Sequence, residues 1–160
     1  MKIGLQKEKK MSNKGWNKDK EKGEEVEKRL VEYLKKKYPK TKKINGKFKD
    51  YDIEVPEENK TIEVKNDIGS QDTPNYFIEI SCNYENSGLV STKADYWFIY
   101  DEADCIWIRT GKLKALCDIY GIYWKGIPQG SNTIVEAYLM PQDIIKKHAD
   151  KISKGEVYGL

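Results

Sequence analysis

The chain has 160 residues and a net charge of +3, with 34% charged and 38% hydrophobic residues. That length suits one domain with a modest core, and no apolar run reaches the roughly 18 residues that a membrane span requires. The charged N-terminus lacks the apolar stretch of a secretory signal. The three cysteines are too widely spaced for a metal-ligand pair, and His148 is the only histidine. These features argue against a histidine-based zinc site or a Ser-His-Asp triad, and they predict an intracellular protein with no membrane association.

Lysine is concentrated in two parts of the chain. Residues 1–22 are lysine-rich and are predicted to form a flexible tail, whereas residues 23–160 are predicted to form a single domain. Residues 35–49 contain eight lysines and no acid. Such a run is typical either of a solvated surface or of an electrostatic footprint for a polyanion. Since only two residues are arginine, a nucleic-acid partner would be contacted at its phosphates rather than read at its bases.

The first predicted element is a helix that begins at Gly23 and is stopped by Pro39. Val26, Leu30 and Leu34 give it an apolar face at helical spacing. The other predicted elements are, in chain order, strands at residues 48–55, 60–66, 75–81, 95–100 and 105–110, a helix at 111–121, a strand at 133–140 and a helix at 141–152. This order predicts an α/β or α+β sandwich in which helices flank a central mixed β-sheet.

A hairpin is predicted where two strands flank Pro56–Asn59 as a four-residue turn. In the register that this turn implies, one face is apolar and the other carries Asp52, Glu63 and Lys65. Asp52 then lies opposite Glu63, with Cβ atoms roughly 5 Å apart, and such a like-charge pair destabilises a sheet. Lys65 offsets part of the repulsion, and a divalent cation would offset more. The alternatives are a solvated face on an edge hairpin and a register shifted by one residue, which would undo the pair.

A further acid, Glu27, is predicted to face the core from the first helix. Its side chain falls within the arc between Val26 and Val31 on a helical projection. A carboxylate in that position is costly unless it is paired or binds a metal. One interpretation is a salt bridge to a lysine at the helix edge. The other is that Glu27 and the hairpin carboxylates form one site.

The order of these residues resembles the PD-(D/E)XK nuclease superfamily: G-x-x-x-E on a first helix, Asp on a strand, and E-x-K on the next strand. The matching residues are, in chain order, Gly23, Glu27, Asp52, Glu63 and Lys65. Within the superfamily, the opening helix is similar to that of archaeal-type Holliday junction resolvases. Residues 87–100 are similar to a segment of small phage and archaeal nucleases. One departure is that Tyr51, rather than proline, precedes the aspartate.

The resemblance implies a restriction-endonuclease-like core and a Mg²⁺-dependent endodeoxyribonuclease, with Mn²⁺ as a substitute metal. The catalytic residues would be Glu27, Asp52, Glu63 and Lys65. The metal ligands would be Asp52, Glu63, the Val64 carbonyl and Glu27. The implied substrate is branched DNA, as for a Holliday junction resolvase in recombination and repair. The implied protein is a homodimer in the cytoplasm of a prokaryote or a virus-infected cell.

Six lysine and hydroxyl side chains are further candidates for DNA contact. They are Lys42, Lys43 and Lys47 in the lysine run, and Ser91, Thr92 and Lys93 in a polar loop. Three other functions stay open: a restriction or repair nuclease of the same superfamily acting on other DNA, a non-catalytic DNA-binding module with this fold, and a structural domain with a charged hairpin. Intact Asp52, Glu63 and Lys65 argue against a module that has lost its activity.

Overall fold

The computed structural model describes residues 20–46 and 49–160. Most of the predicted tail, residues 1–19, and the candidate Lys47 lie outside the described residues. The last three residues of the predicted tail, 20–22, are already helical. No helix in the described residues is long and apolar enough to cross a membrane.

Helix α1 spans residues 20–35 of the described chain and packs through the predicted apolar face. Val26 and Leu30 are 2% and 0% exposed because their four-residue spacing places them on the same side of the helix. Pro39 lies beyond the last helical residue, where its missing N–H and fixed φ do not disturb the helix. The predicted helix is therefore confirmed, apart from its ends.

In the described part of the chain, ten strands, numbered in chain order, form two sheets. The larger sheet contains β1 (Lys42–Lys43), β2 (Ile53–Val55), β3 (Lys60–Asn66), β6 (Tyr96–Tyr100), β7 (Asp104–Arg109) and β10 (Lys151–Lys154). Its strand order is β1-β2-β3-β6-β7-β10. The β3 and β6 strands are parallel, whereas the other neighbours are antiparallel. The predicted mixed sheet is thus confirmed.

The second sheet is antiparallel and was not expected. It contains β4 (Asn75–Cys82), β5 (Glu85–Asn86), β8 (Ile122–Gly126) and β9 (Val135–Pro141), in the order β5-β4-β9-β8. Two of these strands were predicted, but as parts of one central sheet. Alternation along a strand shows which residues share a face and does not show which strand lies beside it, so the division into two sheets was missed.

Three helices follow in the second half of the chain: α2 (Gly88–Ser91), α3 (Thr110–Tyr120) and α4 (Gln142–His148). The prediction of a final helix over residues 141–152 is wrong at its end. Strand β10 takes up Lys151 and Ile152, which lie opposite Trp107 and Ile106 of β7. Pairing with the edge of β7 gives backbone N–H and C=O groups partners that a longer helix would leave unpaired on that edge.

The larger sheet is covered on both faces. On one face, Leu30 of α1 packs in the same buried cluster as Phe98 of β6. On the other, Trp97 of β6 packs in a cluster with Leu113 of α3 and Tyr76 of β4. Consecutive strand residues point to opposite faces, so Trp97 and Phe98 separate the two cores. The fold class is therefore α/β, with a central mixed sheet flanked by helices.

Candidate functional site

A short 3₁₀ turn sets the register of the β2–β3 hairpin. The turn spans Pro56–Glu58 and is followed by Asn59, whose φ is 49°. Asparagine tolerates this left-handed conformation better than most residues, so the chain reverses within four residues. Val55 consequently lies opposite Lys60, as the sequence predicts.

The same register brings two carboxylates together. Ile53 lies opposite Ile62, and the next residues in that register are Asp52 and Glu63. The Asp52 N–H donates to the Ile62 carbonyl at 3.0 Å, just beyond the paired residues. Asp52 is 4% exposed, and its Oδ2 accepts the Val64 N–H at 2.7 Å. The charge of Asp52 acts on Glu63, so the two carboxylates lie close together, and their direct opposition stays a prediction.

Glu63 is the carboxyl group of this pair that binds a proton more readily. Burial, with a further contribution from the charge of Asp52, raises the pKa of Glu63 to about 7. A hydrogen bond from Thr92 and the charges of Lys65 and Lys49 act in the opposite direction. At neutral pH the Glu63 carboxyl is therefore divided between its neutral and ionised forms, a consequence of close carboxylates in a poorly solvated position.

Glu27 reaches the same region from α1. Its side chain is 13% exposed, with Oε2 at 3.1 Å from the Lys43 Nζ and Oε1 at 4.0 Å from the Lys49 Nζ. Burial raises the pKa of Glu27, and the charge of Asp52 raises it further. The predicted salt bridge to a lysine is confirmed. Glu27 also lies close enough to Asp52 for their charges to interact, and that these carboxylates form one site stays a prediction.

Lys49 links the helix and the hairpin, and sequence analysis did not single it out. Its Nζ lies 2.7 Å from the Asp52 Oδ1 and 4.0 Å from the Glu27 Oε1. Burial lowers the pKa of Lys49, but the hydrogen bond and charge of Asp52, with the charges of Glu27 and Glu63, raise it above its ordinary value. The only sequence signal is its position three residues before Asp52, at the end of the lysine run.

Lys65 lies on the same face of β3 as Glu63, two residues further along. Its charge lowers the pKa of Glu63 and opposes the effect of burial on Asp67. Asp67 is buried, and its Oδ2 accepts the Phe77 N–H at 2.8 Å. Within the described parts of the chain, Lys65 forms no ion pair. Asp67 was missed, although the alternation of Glu63, Lys65 and Asp67 was a usable signal.

The predicted DNA-contacting loop lies beside the carboxylates. The Thr92 Oγ1 donates to the Glu63 Oε2 at 3.3 Å. Thr92 therefore lies beside the acidic cluster of Glu27, Asp52 and Glu63. The Lys93 Nζ lies 3.4 Å from the Asp50 Oδ2, with 72% of the lysine side chain exposed. Ser91 is exposed at the end of α2. Lys93 and Ser91 thus remain accessible next to the cluster.

The predicted lysines of the run have different environments. The Lys42 Nζ lies 3.4 Å from the Glu54 Oε2, and its side chain is 60% exposed. Lys43 is 33% exposed and paired with Glu27. Lys42 can therefore exchange its ion pair with Glu54 for one with another anion. Moving Lys43 away would instead leave the mostly buried Glu27 carboxylate without this ion pair.

Carboxylate oxygens are the type of ligand that Mg²⁺ prefers, but the positions of the surrounding side chains restrict how a cation could reach them. Across residues 20–46 and 49–160, no three His, Cys, Asp or Glu side chains converge as a metal-ligand group. Mg²⁺, however, needs only one or two carboxylates and keeps several waters, and Asp52 and Glu63 are the candidates for such a pair. The Asp52 Oδ1 is occupied by the Lys49 ammonium, so a cation could reach Asp52 only if Lys49 withdrew.

Comparison with known proteins identifies no relative. No family model, no curated protein and no solved structure matches the chain. The functional argument therefore depends on the residues themselves.

Proposed function

We propose that the protein is a metal-dependent endodeoxyribonuclease of the PD-(D/E)XK type, with a restriction-endonuclease-like core. The observation that carries the proposal is the close approach of Asp52 and Glu63, beside Lys65, so that the charges of Asp52 and Lys65 both act on Glu63. Glu27 from α1 adds support, because its pKa responds to Asp52. Such convergence of perturbed carboxylates with a lysine is typical of functional sites.

Each residue has a role that its position permits. Asp52, Glu63 and the Val64 carbonyl would hold Mg²⁺, for which Mn²⁺ would substitute, and Glu27 would complete the acidic cluster. The metal, when bound, would supply an acidified water and neutralise charge at phosphorus. Lys65 would orient the attacking water and stabilise charge that develops on the phosphate oxygens.

We further propose branched DNA as the substrate and a homodimer as the active form, as in Holliday junction resolution. This finer proposal rests on the resemblance of the motif order and on the predominance of lysine over arginine, which favours backbone contact over base reading. A phosphate backbone would approach the polar side of the hairpin. The candidate contact residues on or near that side are Lys42, Ser91, Thr92 and Lys93. The implied setting is the cytoplasm of a prokaryote or a virus-infected cell.

The test is cleavage of a four-way junction, a plain duplex and a single strand, each with Mg²⁺ and with EDTA. Glu63→Gln and Lys65→Met are the informative variants, because they remove a carboxylate charge and an ammonium with little change in size. Glu54→Gln is the matched control, since Glu54 lies on the same hairpin face and its ion pair is with exposed Lys42. Asp52→Asn is less suitable, because it also breaks the ion pair to Lys49.

Paired, symmetric cuts in the junction alone, lost with EDTA and in both informative variants but kept by Glu54→Gln, are expected. We expect the loss to reach at least about 100-fold, the scale of removing a group that stabilises the transition state. Cuts in plain duplex would keep the nuclease and reject the selectivity. Binding without cleavage of any substrate would favour a non-catalytic DNA-binding module.

A further inference from the structure

A second candidate site lies apart from the residues of the proposed active site. A groove of about 550 Å³ runs between the C-terminal end of α1 and the sheet, a volume typical of ligand sites. Ile62 lines this groove, whereas Glu63, the next residue, faces the acidic cluster. The groove is lined by none of the residues of the proposed active site.

The floor and walls of the groove are aromatic. The aromatic lining residues are Tyr33, Tyr38, Tyr96, Trp107 and Tyr158. The Trp107 Nε1–H donates to the Tyr158 hydroxyl at 2.8 Å, and the rings of Tyr33 and Tyr158 meet edge to face, with centroids 4.6 Å apart. These contacts hold the rings of Tyr33, Trp107 and Tyr158 in fixed orientations. A planar ligand would therefore meet a preorganised surface and lose less entropy on binding.

The rim of the groove is positively charged. The charged lining residues are Lys36, Lys37, Lys60, Lys151 and Glu58, all of them exposed. The ammonium groups of Lys36 and Lys37 lie 5.7 Å and 5.2 Å from the ring centroids of Tyr33 and Tyr38. Each of these two rings therefore has a cation beside it, which pairs a stacking surface with an anion-binding group.

We propose that this groove binds a short single-stranded segment of nucleic acid. The unpaired bases stack on the aromatic rings, and the lysines contact the phosphates, the combination by which single strands are held without sequence preference. A duplex does not fit this role, because its bases already stack on one another. The proposal is independent of the nuclease proposal, since the groove shares no lining residue with the acidic cluster.

The charge of the groove argues against one competing occupant, the chain's own N-terminal residues. Residues 1–19 contain six lysines and two acids, so they would meet like charge at the rim. An apolar peptide would satisfy the rings but leave the excess positive charge of the rim, four lysines against Glu58, unmatched. An anionic ligand with planar groups can contact the aromatic rings and also neutralise the lysine ammonium groups.

The experiment measures binding of a fluorescein-labelled oligothymidine of about 10 nucleotides by fluorescence anisotropy, with the full chain in EDTA so that no cleavage occurs. We expect the double variant Lys60→Glu, Lys151→Glu to weaken binding about tenfold or more at low salt, with a shallower dependence on salt concentration. Tyr38→Leu keeps an apolar side chain but removes the ring, and should weaken binding about fivefold or more.

Two controls separate the groove from general charge. The double variant Lys114→Glu, Lys147→Glu makes the same charge change at exposed lysines of α3 and α4, and should bind several-fold more tightly than the groove variant. An abasic oligonucleotide of equal length keeps the phosphates, and should bind about tenfold more weakly if stacking contributes. Equal affinity of the two double variants, or no effect of Tyr38→Leu, would overturn the proposal and leave the groove to a second copy of the chain or to its own N-terminus.

Discussion

Asp52 and Glu63 are neighbours with different surroundings. Both Asp52 oxygens have close donors, the Lys49 ammonium at 2.7 Å and the Val64 N–H at 2.7 Å. Glu63 has the Thr92 hydroxyl at 3.3 Å as its hydrogen-bond donor in the described residues. Because two adjacent carboxylates cannot both ionise freely, the proton is held where the donors are weaker, at Glu63.

The raised pKa of Glu63 makes a pH-dependent contribution to stability. The folded-state pKa of about 7 lies above the ordinary value of 4.5. The folded state therefore binds this proton more tightly, and stability falls as pH rises through that interval. Glu63→Gln removes the titration. Between pH 4 and pH 8 its unfolding free energy should gain about 2–3 kcal/mol relative to wild type, measured by urea denaturation in EDTA.

Glu54→Gln is the control for that pH profile, because Glu54 is more exposed on the same hairpin face. Its difference from wild type should change by less than about 0.5 kcal/mol over the same range. A Glu63→Gln profile parallel to that of wild type would show that Glu63 titrates normally and that the two carboxylates are not coupled.

Lys49 occupies the position between Asp52 and Glu27 that a cation would favour. Lys49→Met should destabilise the metal-free protein by about 1–3 kcal/mol, because it leaves a buried carboxylate without its counter-ion. If the cluster binds Mg²⁺, the ion should raise the melting temperature of this variant more than that of wild type, since no ammonium has to be displaced.

The comparison for Lys49 is Lys42→Met, which removes a surface ion pair to Glu54 and should cost less than about 1 kcal/mol. Melting temperatures of both variants, with MgCl₂ and with EDTA, make the measurement. An equal response to Mg²⁺ in wild type and Lys49→Met would contradict competition between the ammonium and the metal.

At the scale of elements, the short helix α2 carries Thr92 to Glu63. Its first residue, Gly88, has φ of +50°, and a Cβ there would lie 2.2 Å from the Glu79 carbonyl oxygen of β4. Only glycine permits both the left-handed conformation and this close approach to backbone. The contact fixes where α2 begins and hence where Thr92 lies.

Gly88→Ala should therefore destabilise the protein by about 2–4 kcal/mol, because the methyl group meets backbone that cannot turn aside. Thermal or chemical denaturation measures this. Gly111→Ala is the control: Gly111 is in α3, and a Cβ there has no neighbour within 4 Å, so the change should be neutral or stabilising. Equal stability of the two variants would mean that α2 can move away from β4.

At the scale of the whole molecule, a buried hydrogen bond ties the second sheet to the larger one. The Tyr76 hydroxyl of β4 donates to the Asp101 Oδ2 at 2.7 Å, in the turn between β6 and β7. The same turn receives the Lys146 ammonium of α4, at 3.6 Å from Asp101 Oδ2. Although the turn is rich in acidic residues, Asp101 is only 5% exposed.

Tyr76→Phe keeps the ring in the core and removes the hydroxyl. We expect a loss of about 1–2 kcal/mol, because the buried Asp101 carboxylate loses a donor. Tyr123→Phe is the comparison, since its hydroxyl donates to Glu136 at an exposed site and should matter less. Chemical denaturation of both variants makes the measurement. A smaller loss for Tyr76→Phe than for Tyr123→Phe would contradict a structural role for the buried bond.

The amino-acid sequence alone determined the features that depend on residues close together in the chain. The apolar face of α1 follows from helical spacing, and the register of the β2–β3 hairpin, which brings Asp52 near Glu63, follows from the turn at Pro56–Asn59. Both can be read because helix and hairpin geometry relate residues a few positions apart. Four candidate site residues, Glu27, Asp52, Glu63 and Lys65, were selected in this way.

Only the tertiary structure decided what depends on distant residues. The Thr92 hydroxyl meets Glu63 across 29 positions, and β10 replaces the predicted end of the last helix because the edge of β7 is free. The second sheet, the place of Lys49 and the aromatic groove arise in the same way. Each requires knowing which elements lie side by side, and periodicity within one element carries no information about its neighbour.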